Sequence, residues 1–206
     1  MSDMYDDTSL YARNKLGMVN TCLMGVGQRP FVEGTLLESL PLGSDGQVAK
    51  DIVANALREV CVRGWYFNID KNFKFVPDSN GYIVAPPNLL RIDVGQTVNR
   101  GKYILKGMKF YNRETQSYLF TEPVFADAVW LVDYEALPFT AYQYIALRAA
   151  RQFQQKVIGS KELYEFTGLE EQDALTNLQR EQLQYEDYNM VDSRVVNRRQ
   201  NPYWGQ

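Results

Sequence analysis

Val62-Arg63-Gly64-Trp65-Tyr66-Phe67-Asn68-Ile69 is the stretch at which the chain changes period. Before it, apolar residues recur at helical spacing. After it, Phe67, Ile69, Phe73 and Phe75 alternate with polar residues, the pattern of a half-buried strand. A helix therefore ends here and a sheet begins. Gly64 can take the left-handed conformation that closes a helix at little steric cost, and the aromatic triplet after it can cover the seam between two layers. Gly64, Trp65 and Phe67 are accordingly read as structural; a Trp65 found on a surface would instead be a partner contact.

The helix that runs into Gly64 starts at Ser44, with Gln47 three residues on as a capping box, and buries Val48, Ile52, Val53, Ala56, Leu57 and Val60. Ahead of it lies a loop, Gln28 to Gly43, broken by Pro30, Gly34, Pro41 and Gly43. Ahead of that, Leu16, Val19, Leu23 and Val26 mark a first helix ending at Gly25 or Gly27, with Asp7, Thr8 or Ser9 as its cap. Gly25-Val26-Gly27 follows a helix instead of a strand, so it lacks the geometry of a dinucleotide loop.

Downstream, Trp65 to Leu137 has no helical period and is cut by Gly and Pro into short runs: 66–69, 73–76, 82–84, 90–94, 103–106, 108–111, 118–120 and 129–132. Lys106-Gly107-Met108 reads as a tight hairpin and Pro86-Pro87 as a rigid bend. Pro138 opens a third helix, with Tyr142, Ile145, Ala149, Phe153 and Val157 on its apolar face. Gly159-Ser160 ends it and caps a fourth, long and acidic, from Lys161 to about Tyr188, with a possible kink at Thr167-Gly168. Asn189 to Gln206 has no clear period and reads either as a loose end or as a docking arm, since arginines and aromatics favour binding hot spots.

The fold class expected is α+β: a bundle of about four helices (1–64 and 138–188), an inserted, mostly antiparallel β region (65–137) and a C-terminal docking tail (189–206). The 206 residues, 45% hydrophobic and 13% aromatic, suffice for a real core, and a net charge of −3 gives no global pull toward nucleic acid or anionic membranes. No apolar run approaches the ~20 residues of a membrane span, and the acidic N-terminus does not resemble a signal peptide. Cys22 and Cys61 sit inside apolar helical patterns and read as small buried hydrophobes in a reducing compartment, a disulfide or reactive thiol being the alternative. The absence of histidine removes the commonest general base and metal ligand.

Chemistry has few candidates. Asp127, Asp133 and Glu135 beside Trp130 and Tyr134 could supply the carboxylate pair of a polysaccharide hydrolase. Arg100, Lys102, Lys106, Lys109 and Arg113, interleaved with Tyr103, Phe110 and Tyr111, could grip single-stranded nucleic acid, protect a strand edge or meet an acidic partner. No P-loop, zinc spacing, EF-hand or nucleophile elbow is present, and no cofactor or metal is expected.

Four stretches in register resemble tail tubular protein A of short-tailed double-stranded DNA phages. They are Val19-Asn20 followed by Leu23-Met24-Gly25-Val26-Gly27; Arg63-Gly64-Trp65-Tyr66-Phe67-Asn68; Ala150-Arg151-Gln152-Phe153; and Tyr185-Glu186-Asp187-Tyr188-Asn189-Met190. The resemblance implies a structural virion protein of the tail, assembled in the bacterial host cytoplasm and not an enzyme. It implies a dodecameric ring that joins the portal protein to the nozzle, tail tubular protein B, with tail fibres nearby. DNA would be ejected through the channel, touching the ring transiently and without sequence preference. The resemblance transfers no catalytic residue. Such a ring closes through unlike faces; Arg148, Arg151 and Lys156 against Glu170, Glu171 and Asp173 are the expected subunit contact. Arg194, Arg198, Arg199, Tyr203 and Trp204, with Arg100, Lys102, Lys106 and Lys109, are the expected portal or nozzle contacts.

Overall fold

The computed structural model describes residues 13–93, 101–159 and 161–199, with the backbone alone for 161–166 and 187–199. Among these lie four α-helices, α1 (Lys15–Gly25), α2 (Asp45–Cys61), α3 (Phe139–Val157) and α4 (Lys161–Arg199). The strands are β1 (Ile69–Phe75), β2 (Leu89–Asp93), β3 (Tyr103–Lys106), β4 (Lys109–Asn112) and β5 (Val124–Trp130). With one antiparallel sheet of three strands and one of two, the fold is α+β. The chain divides into two compact units, one running to Ala56 and resuming at Leu137, the other Leu57–Ala136.

In the first unit, α1 starts later than expected because Asn14 caps it, its Oδ1 accepting the Gly17 amide at 2.8 Å; Asp7, Thr8 and Ser9 lie outside the described residues. The Asn20 side chain then clamps the following loop at both hydrogen-bonding groups of Phe31, accepting its amide at 2.8 Å and donating to its carbonyl at 2.9 Å. That places the Phe31 ring against Gly46 in the first turn of α2, where a Cβ would fall 2.5 Å from Phe31 Cζ. Ser44 Oγ accepts the Gln47 amide at 3.3 Å, but the Gln47 side chain turns forward to Asp51, so only half of the capping box forms.

Helix α3 is the spine of this unit, with α1 and α4 both packed on it. It buries Ala141, Tyr144, Ile145, Ala149 and Phe153, whereas Val157, expected on the same face, is 40% exposed. Buried Gln154 ties three helices: its Nε2 donates to Gly25 O at 3.2 Å, and its Oε1 accepts from Thr167 Oγ1 at 3.1 Å. Helix α4 runs unbroken through Thr167-Gly168 and continues past Tyr188 to Arg199. The expected aperiodic tail is therefore helical at its start; no Gly or Pro stands between Asn189 and Arg199, and Pro202 is the first breaker. At 1.5 Å per residue, α4 is about 58 Å long and α3 about 28 Å. Thr140 at the start of α3 hydrogen-bonds Glu181, so α4 beyond Glu181 outruns α3.

In the second unit, β5 is the central strand of the order β1-β5-β2. Both edge strands carry a bulge, β1 between Asp70 and Phe73 and β2 between Leu89 and Arg91. The β1 bulge overturns the expected alternation. Ile69 pairs with Val129 and Phe73 with Ala126, positions three apart on β5 that point to opposite faces. Ile69 is thus on one face, Phe73 and Phe75 on the other. Asn72, with φ +54, takes the strain of the bulge, and its amide donates to Asp127 Oδ1 at 2.8 Å.

Strands β3 and β4 form the hairpin read from Lys106-Gly107-Met108, with Lys106 opposite Lys109 and Gly107 at φ +66. The expected strands 82–84 and 118–120 make only isolated bridges, Tyr82 with Leu119 and Val84 with Lys109. The core of this unit gathers Phe75, Ile83, Phe110, Phe120, Val124 and Ala128. Pro86-Pro87 forms the bend, closed by the Leu89 amide on Pro86 O at 3.0 Å.

Candidate functional site

The junction after α2 is built around Asn68. The helix stops as Gly64 turns left-handed, φ +80, with its amide on Cys61 O. A Cβ there would also meet Ile69 Cδ1 at 3.0 Å. Residues 66–68 then form a tight turn, Asn68 N donating to Trp65 O at 3.0 Å, instead of the expected start of a strand. The buried Asn68 side chain uses both of its ends. Its Oδ1 accepts the Trp65 amide at 2.7 Å, and its Nδ2 donates to Cys61 O at 2.8 Å and Trp130 O at 2.7 Å. Trp65 is buried with its indole N–H on Val60 O at 2.9 Å, while Phe67 is half-buried, edge-on to Tyr66. The alternation around residues 66–69 gives no local signal for this role of Asn68, because two of its partners, Cys61 and Trp130, lie outside that run.

Beside this junction, and wholly within the second unit, is an open cleft of about 560 Å³. Phe67, Phe73 and Trp130 line it with Pro86, Asp70 and Asp133. Trp130 donates its indole N–H to Asp70 Oδ2 at 2.9 Å and meets Phe73 edge-on at 5.3 Å between centroids. Phe73 is 38% exposed, and Asp133 is exposed at the rim.

The three carboxylates considered for hydrolysis are not collected there. Asp127 lies three positions from Trp130 on β5, hence on the other face, with its carboxylate on the β1 bulge. Asp133 lines the cleft; Glu135 is exposed in the short 3-10 turn Tyr134–Ala136.

The basic hairpin is also partnered internally. Lys109 Nζ sits 4.0 Å from the centroid of the Tyr82 ring, Lys106 Nζ 4.9 Å from Tyr111, and Lys102 5.5 Å from Tyr103. Lys102 also pairs with Glu114 at 2.9 Å, an acid just past the basic run, and this contact raises the lysine's pKa. Phe110, taken as an interleaved aromatic, is fully buried in the core. Arg100 lies outside the described residues.

On the first unit, Arg148 and Arg151 share one acid inside the chain. Arg148 Nη1 reaches Glu171 Oε1 at 3.0 Å and Arg151 Nη1 reaches Glu171 Oε2 at 2.8 Å, with Glu171 itself buried. The charges assigned to two neighbouring copies thus join α3 to α4 of one copy. Lys156, Glu170 and Asp173 are exposed. Arg194, Arg198 and Arg199 lie on the last turns of α4, and Tyr203 and Trp204 outside the described residues.

Among the described residues no group of three or more metal-ligating side chains is assembled, and no helix is long and apolar enough to cross a membrane. Cys22 and Cys61 are free thiols, both buried; burial pushes Cys22 up to about 12 and raises Cys61. What the described residues show is a scaffold in which half-buried Asn20 and buried Asn68, Gln154 and Glu171 fasten helices, loops and strands to one another. The family model for tail tubular proteins matches residues 16–188, and the chain belongs to that family of bacteriophage tail components. No curated protein matches it.

Proposed function

We propose that this chain is the adaptor of a phage tail, twelve copies closing into a ring that joins the portal to the nozzle and lines part of the DNA ejection channel. The observation that carries the reading is the family match over residues 16–188. Two features of the fold suit it. A ring needs unlike faces on each copy, and α4 offers one, with Leu169 67% and Leu183 58% exposed and its last turns beyond α3. Lys156, Glu170 and Asp173, exposed on α3 and α4, are the charges of the proposed subunit contact; Arg148, Arg151 and Glu171 stand behind them as the internal brace.

Portal and nozzle contacts are assigned to Arg194 on the last turns of α4 and to the basic hairpin, and DNA contact to the ring interior as a transient, sequence-independent encounter. A tail fibre attached near the ring completes the set of partners. Co-sedimentation of the purified chain with its portal tests this: a complex with one copy per portal subunit is expected, and a chain that leaves the portal unbound overturns the assignment. Neither alternative chemistry is favoured, because Asp127 on β5 faces away from the cleft that Asp133 lines and Glu135 stands in the turn beyond, and the hairpin tyrosines Tyr103 and Tyr111 carry lysines where bases would stack.

A further inference from the structure

We propose that the cleft of Phe67, Phe73, Trp130, Asp70 and Asp133 receives the Arg198–Trp204 segment of a second copy, so that each subunit of the assembly is strapped to another. The inference rests on the ring reading and adds the partner and the chemistry of one contact to it. The cleft is a receptor of definite character: three aromatic side chains and Pro86 make its walls, and two carboxylates, Asp70 and Asp133, lie among them. The β1 bulge creates it. By shifting the strand's phase, the bulge puts Asp70 and Phe73 on the same face as Trp130, where the indole holds Asp70 and leaves Phe73 38% exposed.

The ligand that such a surface selects carries cations for the acids and flat apolar groups for the rings. The chain contains that combination in Arg198-Arg199-Gln200-Asn201-Pro202-Tyr203-Trp204. Helix α4 leads into it. Since Thr140 at the start of α3 meets Glu181, the α4 residues that follow form a rod of roughly 27 Å with no α3 alongside. A stiff carrier that leads into arginines and aromatics is suited to reach another molecule, and Pro202 cannot continue a helix.

The test uses the full chain assembled on its portal. A photoreactive Phe73→benzoylphenylalanine chain is mixed with a nitrogen-15-labelled chain, irradiated and analysed by mass spectrometry. The expected adduct joins the peptide containing position 73 to the tryptic peptide after Arg199 of the other isotope. Adducts confined to one copy, adducts to the portal, or no adduct overturn the proposal. In parallel, Asp133→Arg is expected to weaken self-association about tenfold, and Arg198→Asp with Arg199→Asp in the same chain to recover most of it; no loss, or loss without recovery, counts against the strap. Failure to form any ring on the portal strikes the adaptor reading itself, whereas a normal ring without the adduct removes only this contact.

Discussion

Asn68 and Trp130 are joined twice: Asn68 Nδ2 donates to Trp130 O at 2.7 Å, and the Trp130 amide donates to Asn68 O at 2.9 Å. A side-chain bond and a backbone bond thus fasten the turn after α2 to the end of the central strand. The same side chain also holds Trp65 N and Cys61 O.

Asn68→Ala therefore leaves the buried Trp65 amide without its acceptor and takes one donor each from Trp130 O and from Cys61 O, which keeps the Gly64 amide, and we expect it to cost about 2 kcal/mol, given ~1–3 kcal/mol for an unsatisfied buried group. Asn68→Asp keeps the shape but faces a carboxylate toward two carbonyls, so it should be at least as damaging. Trp65→Ala, which empties a buried site, should lose ~3–5 kcal/mol. Urea unfolding of the three variants checks these figures; an Asn68→Asp chain as stable as the parent would break the account of the junction.

The brace between α3 and α4 yields a second expectation. Glu171→Ala leaves two guanidiniums facing each other, and a loss of about 2–3 kcal/mol is expected, below the ~3–5 kcal/mol of a fully buried pair because Arg148 and Arg151 are about a quarter exposed. Reversing Arg148 and Arg151 to Glu should accordingly lower the melting temperature of the chain before any assembly defect is scored. Full thermal stability in that double variant would return these arginines to the subunit interface.

Two helical glycines should respond with opposite signs. Gly168→Ala places its Cβ about 3.5 Å from the Arg151 guanidinium, an ordinary contact, so the helix gains up to ~1 kcal/mol of propensity. Gly46→Ala collides with Phe31, whose backbone Asn20 holds in place, and should destabilise by ~1–3 kcal/mol. Thermal melts of the pair decide it; two shifts of the same sign would contradict the packing around Phe31.

The thiols provide a probe of global opening. With Cys22 pushed up to about 12 and Cys61 raised, both by burial, little thiolate exists at pH 8 in the folded chain. Labelling by a thiol reagent should be slow in buffer and rapid in denaturant, with a rate that follows unfolding. Fast labelling of either cysteine under native conditions would place it at a mobile surface.

How far the sequence could be read depended on the range of the interaction. The helix stop at Gly64, the hairpin at Gly107 and the α+β class are local signals, carried by a glycine and by a change of period. The bulge at Asn72 depends on pairing with Asp127 far along the chain, so alternation alone put Ile69 and Phe73 on one face when they are on two. At Arg148, Arg151 and Glu171 charge counting alone did not give the pairing within the chain: complementary faces on two helices bind across a ring or within one chain by the same chemistry, and the packing of α4 on α3 brings these three together. The hairpin lysines and the Tyr103 and Tyr111 rings beneath two of them were visible as a basic, aromatic run, but Tyr82 and Glu114, which engage Lys109 and Lys102, lie outside it.

The central claim, that this tail tubular protein closes into an adaptor ring, is tested most directly by cryo-electron microscopy of the purified chain on its portal. Twelve copies around an open channel are expected, with α4 beyond Glu181 of each copy against the next. Copies scattered singly on the portal, or a closed ring in which α4 beyond Glu181 touches no neighbour, would contradict it.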